Sequence, residues 1–137
     1  MSYNKTMLTR EPIPAEVESV ATLVVDAVYM VYSRLGPGLL ESVYEACLEY
    51  ELTQRGIKVQ RQVSIPICYG ELKIDGGFRI DLYVGGCLIV ELKAVDSLLP
   101  VHRSQVLTYL KLTRHRLGLL INFNVPLIRY GIKRVVL

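Results

Sequence analysis

Two alternating runs flank Gly85-Gly86, and the way they can pair constrains the fold of this 137-residue chain more than any other feature. From Gly77 to Val84 the apolar residues Phe78, Ile80, Leu82 and Val84 alternate with Arg79, Asp81 and Tyr83. Beyond the glycines, Leu88, Val90 and Leu92 alternate with Cys87, Ile89, Glu91 and Lys93. A period of two puts alternate residues on opposite faces of a strand. A plain two-residue hairpin at the glycines would set even positions opposite odd ones and mix the two apolar sets. A three-residue loop, with one glycine in the left-handed conformation and a bulge, brings the apolar faces together. The same register brings Asp81, Glu91 and Lys93 onto one face. The expectation is therefore an odd-length loop or a bulge at 84 to 88, with the Asp81 and Glu91 carboxyl groups pointing into one cleft.

Two carboxylates and a lysine are what hydrolysis of a phosphodiester needs. The acids hold a hard cation such as Mg2+, and the lysine serves the attacking water or the developing charge. The tripeptide Glu91-Leu92-Lys93 is weak evidence by itself, since average composition yields Glu-x-Lys by chance roughly half a time in a chain of this length. Glu71-Leu72-Lys73 has the same letters but sits beside Gly70 and Asp75-Gly76-Gly77, with no Asp a strand-length upstream. It reads as solvated turn chemistry.

Along the chain, Pro12 and Pro14 mark an irregular N-terminal arm over residues 1 to 16, followed by a single domain over 17 to 137. Val17, Val20, Ala21, Val24, Val28, Val31 and Leu35 form a helical stripe that Gly36-Pro37-Gly38 stops. A second helix is predicted from about Leu39 to Arg55, with Leu40, Val43, Tyr44, Cys47, Leu48 and Leu52 inward and Gly56 as its end signal. Strands are predicted near 59 to 69, 77 to 84, 87 to 95, 116 to 122 and 127 to 136, and a third helix over about 101 to 113. That order describes an α/β fold with a mixed sheet flanked by helices. The crossover helix makes strands 87 to 95 and 116 to 122 parallel neighbours.

An apolar fraction of 51% in 137 residues supports one real core and not two. Asp26 interrupts the longest apolar candidate, and the opening Met1-Ser2-Tyr3-Asn4-Lys5 lacks an apolar signal region, so no membrane association and a cytoplasmic location are expected. Cys47, Cys68 and Cys87 read as reduced core thiols, and His102 and His115 as surface residues without ligand-spaced partners. The net charge of +3 hides an asymmetry of −2 for residues 1 to 70 and +5 for residues 71 to 137. Arg103, Lys111, Arg114, Arg116, Arg129, Lys133 and Arg134 are either a phosphate-facing surface or solvated edges, and spacing alone leaves both readings open.

Gly38-Leu39-Leu40-Glu41-Ser42-Val43-Tyr44 matches the signature of the small GxxExxY family. Asp81, Glu91-Leu92-Lys93 and Gln105-Val106-Leu107-Thr108-Tyr109 resemble the successive motifs of the PD-(D/E)XK nuclease superfamily to which that family is assigned. The resemblance runs from about Val17 to the C-terminus, with Ile80 where the superfamily name has proline. It implies a restriction-endonuclease-like core and cleavage of DNA or RNA that depends on Mg2+, or alternatively Mn2+. It implies Asp81 and Glu91 as metal carboxylates, Lys93 as the lysine that orients water or steadies charge, and Glu41 as a further carboxylate from the preceding helix. A role as base would require Lys93 to give up a proton, so an electrostatic role asks less of it. Glu41 is equally explained as a favourable charge in a first helical turn. Gln105 and Tyr109, four apart on one helix face, are candidates to touch the scissile phosphate or to hold Lys93 and Glu91. Arg103 and Tyr44 are further candidate substrate contacts, although Tyr44 also sits on the inward stripe. A non-catalytic nucleic-acid-binding or protein-binding module that kept the fold stays open beside the nuclease reading. So does a homodimer or a protein partner, because a core of this size offers little surface for choosing a sequence.

Overall fold

The structure, a computed structural model, describes residues 11–137. The expected arm therefore lies mostly outside the described residues. Residues 11–14 precede the first helix without regular structure, and Ala15 and Glu16 are already helical.

Helix α1 (Ala15–Leu35) buries Val17, Ala21, Val24, Ala27, Val28 and Val31, a three-four spacing that keeps one stripe inward. Glu16 and Glu18 in its first turn and Arg34 in its last turn suit the helix dipole, and Gly36 ends it at a φ of 66° that favours glycine. Helix α2 (Glu41–Gln54) buries Tyr44, Glu45, Leu48 and Leu52. Its inward phase differs from the expectation: Leu40 precedes the helix and is 74% exposed, and Val43 points largely outward.

Strands β1 (Val59–Tyr69), β2 (Leu72–Val84), β3 (Leu88–Lys93), β4 (Leu117–Asn122) and β5 (Ile132–Val136) form one sheet in chain order, with helix α3 (Pro100–Thr113) crossing between β3 and β4. β3 and β4 are parallel, as the crossover predicts, and the other neighbours are antiparallel. The chain thus has the α/β fold with a five-stranded mixed sheet and three helices, consistent with a restriction-endonuclease-like core. One sheet face packs on α1 and α2 through Leu82, Val84, Leu88, Val90, Leu92, Leu119 and Ile121. The opposite face packs on α3 through Ile80, Ile89, Leu120 and Val135, against Val106, Tyr109 and Leu110.

Several expectations change. β2 starts at Leu72, five residues before the expected strand, so β1 and β2 make a long hairpin whose tip carries an exposed Tyr69. Glu71-Leu72-Lys73 lies at that tip in solvent, as expected, with Lys73 3.9 Å from Asp75. Cys68 is exposed on the hairpin instead of in the core, while Cys47 and Cys87 are partly buried, and all three are free thiols. His115 is half-buried with its Nε2 2.5 Å from the Tyr83 hydroxyl, and burial pushes its pKa down. His102 accepts the Leu99 N–H at 3.0 Å at the start of α3.

The last predicted strand is shorter, because Ile128–Tyr130 forms a 3-10 turn before β5. Gly131 packs there against the main chain, and the Asn122 N–H donates to its carbonyl at 2.8 Å. A Cβ at position 131 would lie 2.1 Å from the Asn122 carbonyl oxygen, which is backbone and cannot swing away. Gly131→Ala is expected to cost about 1–3 kcal/mol through this overpacking. Urea unfolding measures it, and a wild-type midpoint would contradict the close approach.

Candidate active site

β2 and β3 begin as a regular ladder, Val84↔Leu88, Tyr83↔Ile89 and Leu82↔Val90, which is the even register that core patterning asks for. The loop has three residues, Gly85 and Gly86 have φ of 62° and 67°, and the Cys87 N–H closes the turn on the Val84 carbonyl at 3.2 Å. The next facing residues are Asp81 and Glu91. There the ladder gives way to side chains: the Asp81 N–H donates to Glu91 Oε1 at 3.1 Å, and the Leu92 N–H donates to Asp81 Oδ2 at 2.9 Å. Each carboxylate holds a backbone donor of the opposite strand, so main chain contributes to aiming both.

A kink in the neighbouring strand coincides with this site. Gln62 has a φ of 52°, a left-handed conformation uncommon outside glycine. The β1–β2 register is the same on both sides of it, Arg61↔Leu82 and Val63↔Ile80, so Gln62 stands opposite Asp81 without a ladder pair, and the shift of register in this hairpin comes later, between Ile65 and Ile67. β2 turns over at the same level. Leu82 packs toward α1 and α2, whereas Ile80 and Phe78 pack toward α3, so the even positions of β2 do not share one face as the alternation implies. Asp81 sits at the turnover.

Glu91 is only 4% exposed. Burial first, and then the negative charge of Asp81, push its pKa up to about 8, against a smaller opposing pull from the Asp81 N–H and the Lys93 ammonium. A buried acid beside a second acid, with the Lys93 charge a weaker opposing influence on Glu91, is the electrostatic condition that a divalent cation relieves. Oxygen donors from Asp81 and Glu91 suit a hard ion that keeps several waters. The donor set therefore fits Mg2+ or Mn2+, with two protein carboxylates; among the described residues no group of three or more His, Cys, Asp or Glu side chains converges as a metal cluster.

Lys93 ends β3 and makes no ion pair or side-chain hydrogen bond among the described residues, although its charge acts on Glu91. Its backbone is fixed by Asn122 and Phe123, which sequence reasoning missed. The Phe123 N–H donates to the Lys93 carbonyl at 3.0 Å, and the buried Asn122 amide exchanges two hydrogen bonds with Val95, at 3.1 and 2.9 Å.

From α3, Tyr109 comes close enough for the charges of Glu91 and Asp81 to add to burial in raising its hydroxyl pKa. Its ring stacks on Phe78 with centroids 4.4 Å apart. Gln105, one helical turn earlier, is exposed and makes no side-chain hydrogen bond to Lys93 or Glu91 among the described residues. Arg103 lines a separate groove with Leu98, Leu120 and Lys133. Tyr44 is fully buried in the core; its hydroxyl donates to the Gly36 carbonyl at 2.6 Å and accepts from the Leu39 N–H at 3.2 Å, while its ring stacks on Phe123. Its polar end is thus spent on holding the α1–α2 loop. Glu41 is exposed in the first turn of α2.

The α2 acid linked to the site is Glu45, one turn later and 6% exposed. Arg61 Nε donates to Glu45 Oε1 at 3.0 Å, Gln62 Nε2 donates to Glu45 Oε2 at 2.8 Å, and the same Nε2 donates to Asp81 Oδ1 at 3.3 Å. Its place between Tyr44 and Leu48 on the inward stripe is a sequence signal for a buried acid, but not for what that acid meets. Of the seven C-terminal basic residues, Arg134 pairs with Glu18 at 2.6 Å, Arg116 binds the Glu11 and Leu137 carbonyls, and Arg129 lies over the Tyr130 ring. Arg103, Lys111, Arg114 and Lys133 are exposed and form no ion pair among the described residues. No helix among the described residues is long and apolar enough to cross a membrane.

The family model of the PD-(D/E)XK nuclease superfamily matches residues 18–135. No curated protein and no solved structure matches the chain.

Proposed function

The chain belongs to the PD-(D/E)XK nuclease superfamily, and on that premise we propose that it hydrolyses phosphodiester bonds of DNA or RNA with Mg2+ or Mn2+ held by Asp81 and Glu91. The observation that carries this reading is the reciprocal bonding of the two carboxylates across β2 and β3, with Lys93 two residues beyond Glu91 on the same strand face. When bound, the ion supplies Lewis-acid polarisation of the phosphate and makes a water molecule easier to deprotonate. Asp81 and Glu91 bind and orient. The Lys93 ammonium, in no ion pair among the described residues, is available to the negative charge that grows on the phosphate oxygens. Tyr109, its ring stacked on Phe78, lies close enough to feel the charges of Glu91 and Asp81 and is placed to face a bound substrate. The finer assignment to the GxxExxY family rests on Gly38, Glu41 and Tyr44. A cytoplasmic nucleic acid is the partner this reading implies.

Since the ion binds only the native arrangement, millimolar Mg2+ or Mn2+ is expected to raise the melting temperature of the wild type by mass action. Asp81→Asn should abolish the rise. An unchanged shift in Asp81→Asn would place the ion elsewhere and remove the reading.

A further inference from the structure

We propose that Gln62 is a positioning residue of this site, whose side-chain amide, clamped by Glu45 of α2, fixes the direction in which the Asp81 carboxylate presents its free lone pairs. The inference rests on the reading of Asp81 as an ion ligand.

A primary amide nitrogen has two N–H donors, and Gln62 aims that nitrogen at both Glu45 Oε2, at 2.8 Å, and Asp81 Oδ1, at 3.3 Å. The shorter contact is the anchor. Buried Glu45 is itself held on its other oxygen by the exposed Arg61, whose Nε donates at 3.0 Å, and a flip of the exposed Gln62 amide would set its oxygen against Glu45 Oε2 in place of a donor. Asp81 then has one oxygen bonded by Gln62 and the other by the Leu92 N–H. Two restraints on two oxygens fix the plane of a carboxylate and leave its remaining lone pairs for a ligand. Partners that orient an ion's ligands in this way typically contribute 10–100-fold to its affinity.

The backbone supports the same assignment. Position 62 adopts φ 52°, where glycine would be at ease and glutamine is strained. A residue present only for local stability would gain nothing from that conformation. The kink instead turns the amide toward Asp81, at the level where β2 turns over.

Gln62→Gly separates the two roles, because it relieves the backbone and deletes the amide together. The probe is Mn2+, titrated by calorimetry into the full chain, with melting temperature measured alongside. Gln62→Gly is expected to keep or raise the metal-free melting temperature and to weaken Mn2+ binding about ten-fold or more. Gln62→Met, which keeps the length but has no donor, should weaken binding similarly and serves if the glycine variant does not fold. Mn2+ affinity within about two-fold of wild type in the folded variants, while the wild type still binds through Asp81, would overturn the role of Gln62 alone. A wild type that binds no Mn2+, or whose binding survives Asp81→Asn, would overturn the ion-site reading and this inference with it.

Discussion

Lys93→Ala is expected to lower phosphodiester cleavage by about two to three orders of magnitude, the usual loss when one preorganised stabiliser of transition-state charge is removed. Folding and nucleic-acid affinity should hardly change. The Lys93 side chain makes no ion pair or hydrogen bond among the described residues, while its backbone is fixed independently by Phe123 and by the Asn122–Val95 pair. Truncating it therefore removes charge without removing support. One phosphate contact among several changes the salt slope of binding by about one unit at most. Cleavage rates and salt-dependent binding isotherms on the same substrate test this separation. A parallel fall in affinity and rate would make Lys93 a binding residue only.

Glu91→Gln is expected to make the metal-free protein more stable than wild type at pH 8.5, by on the order of 4 kcal/mol, and to remove most of the difference in stability between pH 5.5 and 8.5. The native pKa of Glu91 is raised to about 8 against an ordinary value of 4.5, chiefly by burial and then by Asp81. Between those values the native state binds more protons at this residue than the unfolded state does. The stability it contributes is therefore fully present below the unfolded pKa and is lost as pH rises through the native one. Each pH unit in that window is worth about 1.4 kcal/mol. Glutamine keeps the shape and stays neutral, so the loss disappears. Urea unfolding in EDTA at the two pH values measures it. A wild type more stable at pH 8.5 than at 5.5 without metal would mean that Glu91 is not desolvated in this way. The gain should come with loss of the ion-dependent rise in melting temperature, since the strain on Glu91 without a cation and its affinity for one have the same origin.

The hairpin at Gly85-Gly86 was legible because two apolar sets could meet in only one register, and that register also brought Asp81 and Glu91 together. The ladder follows it from Val84↔Leu88 to Leu82↔Val90. Ile80 broke the pattern for a reason that alternation cannot carry: the left-handed Gln62 on the adjacent strand lets β2 turn over, and no local feature of residues 78 to 82 announces it. Glu45 was hidden behind Glu41 for a related reason. The two acids are one helical turn apart and share a face, so choosing between them needs the height of α2 above the sheet, which is a tertiary quantity. Tyr44 was placed correctly on the inward stripe, but the destination of its hydroxyl, the Gly36 carbonyl, depended on a loop path that Gly36-Pro37-Gly38 only bounds. Asn122 gave no signal at all, because its two bonds to Val95 span the whole β3–α3–β4 crossover.

The most direct measurement is cleavage of a panel of linear, circular and single-stranded DNA and of RNA by purified wild type, Asp81→Asn and Lys93→Ala, each with Mg2+, with Mn2+ and with EDTA. The account predicts that the wild type cuts at least one of these substrates only when an ion is present, and that both variants lose the activity while remaining folded. Wild-type protein that binds nucleic acid yet cuts none of them with either ion, or cutting that persists at the wild-type rate in both variants, would contradict it.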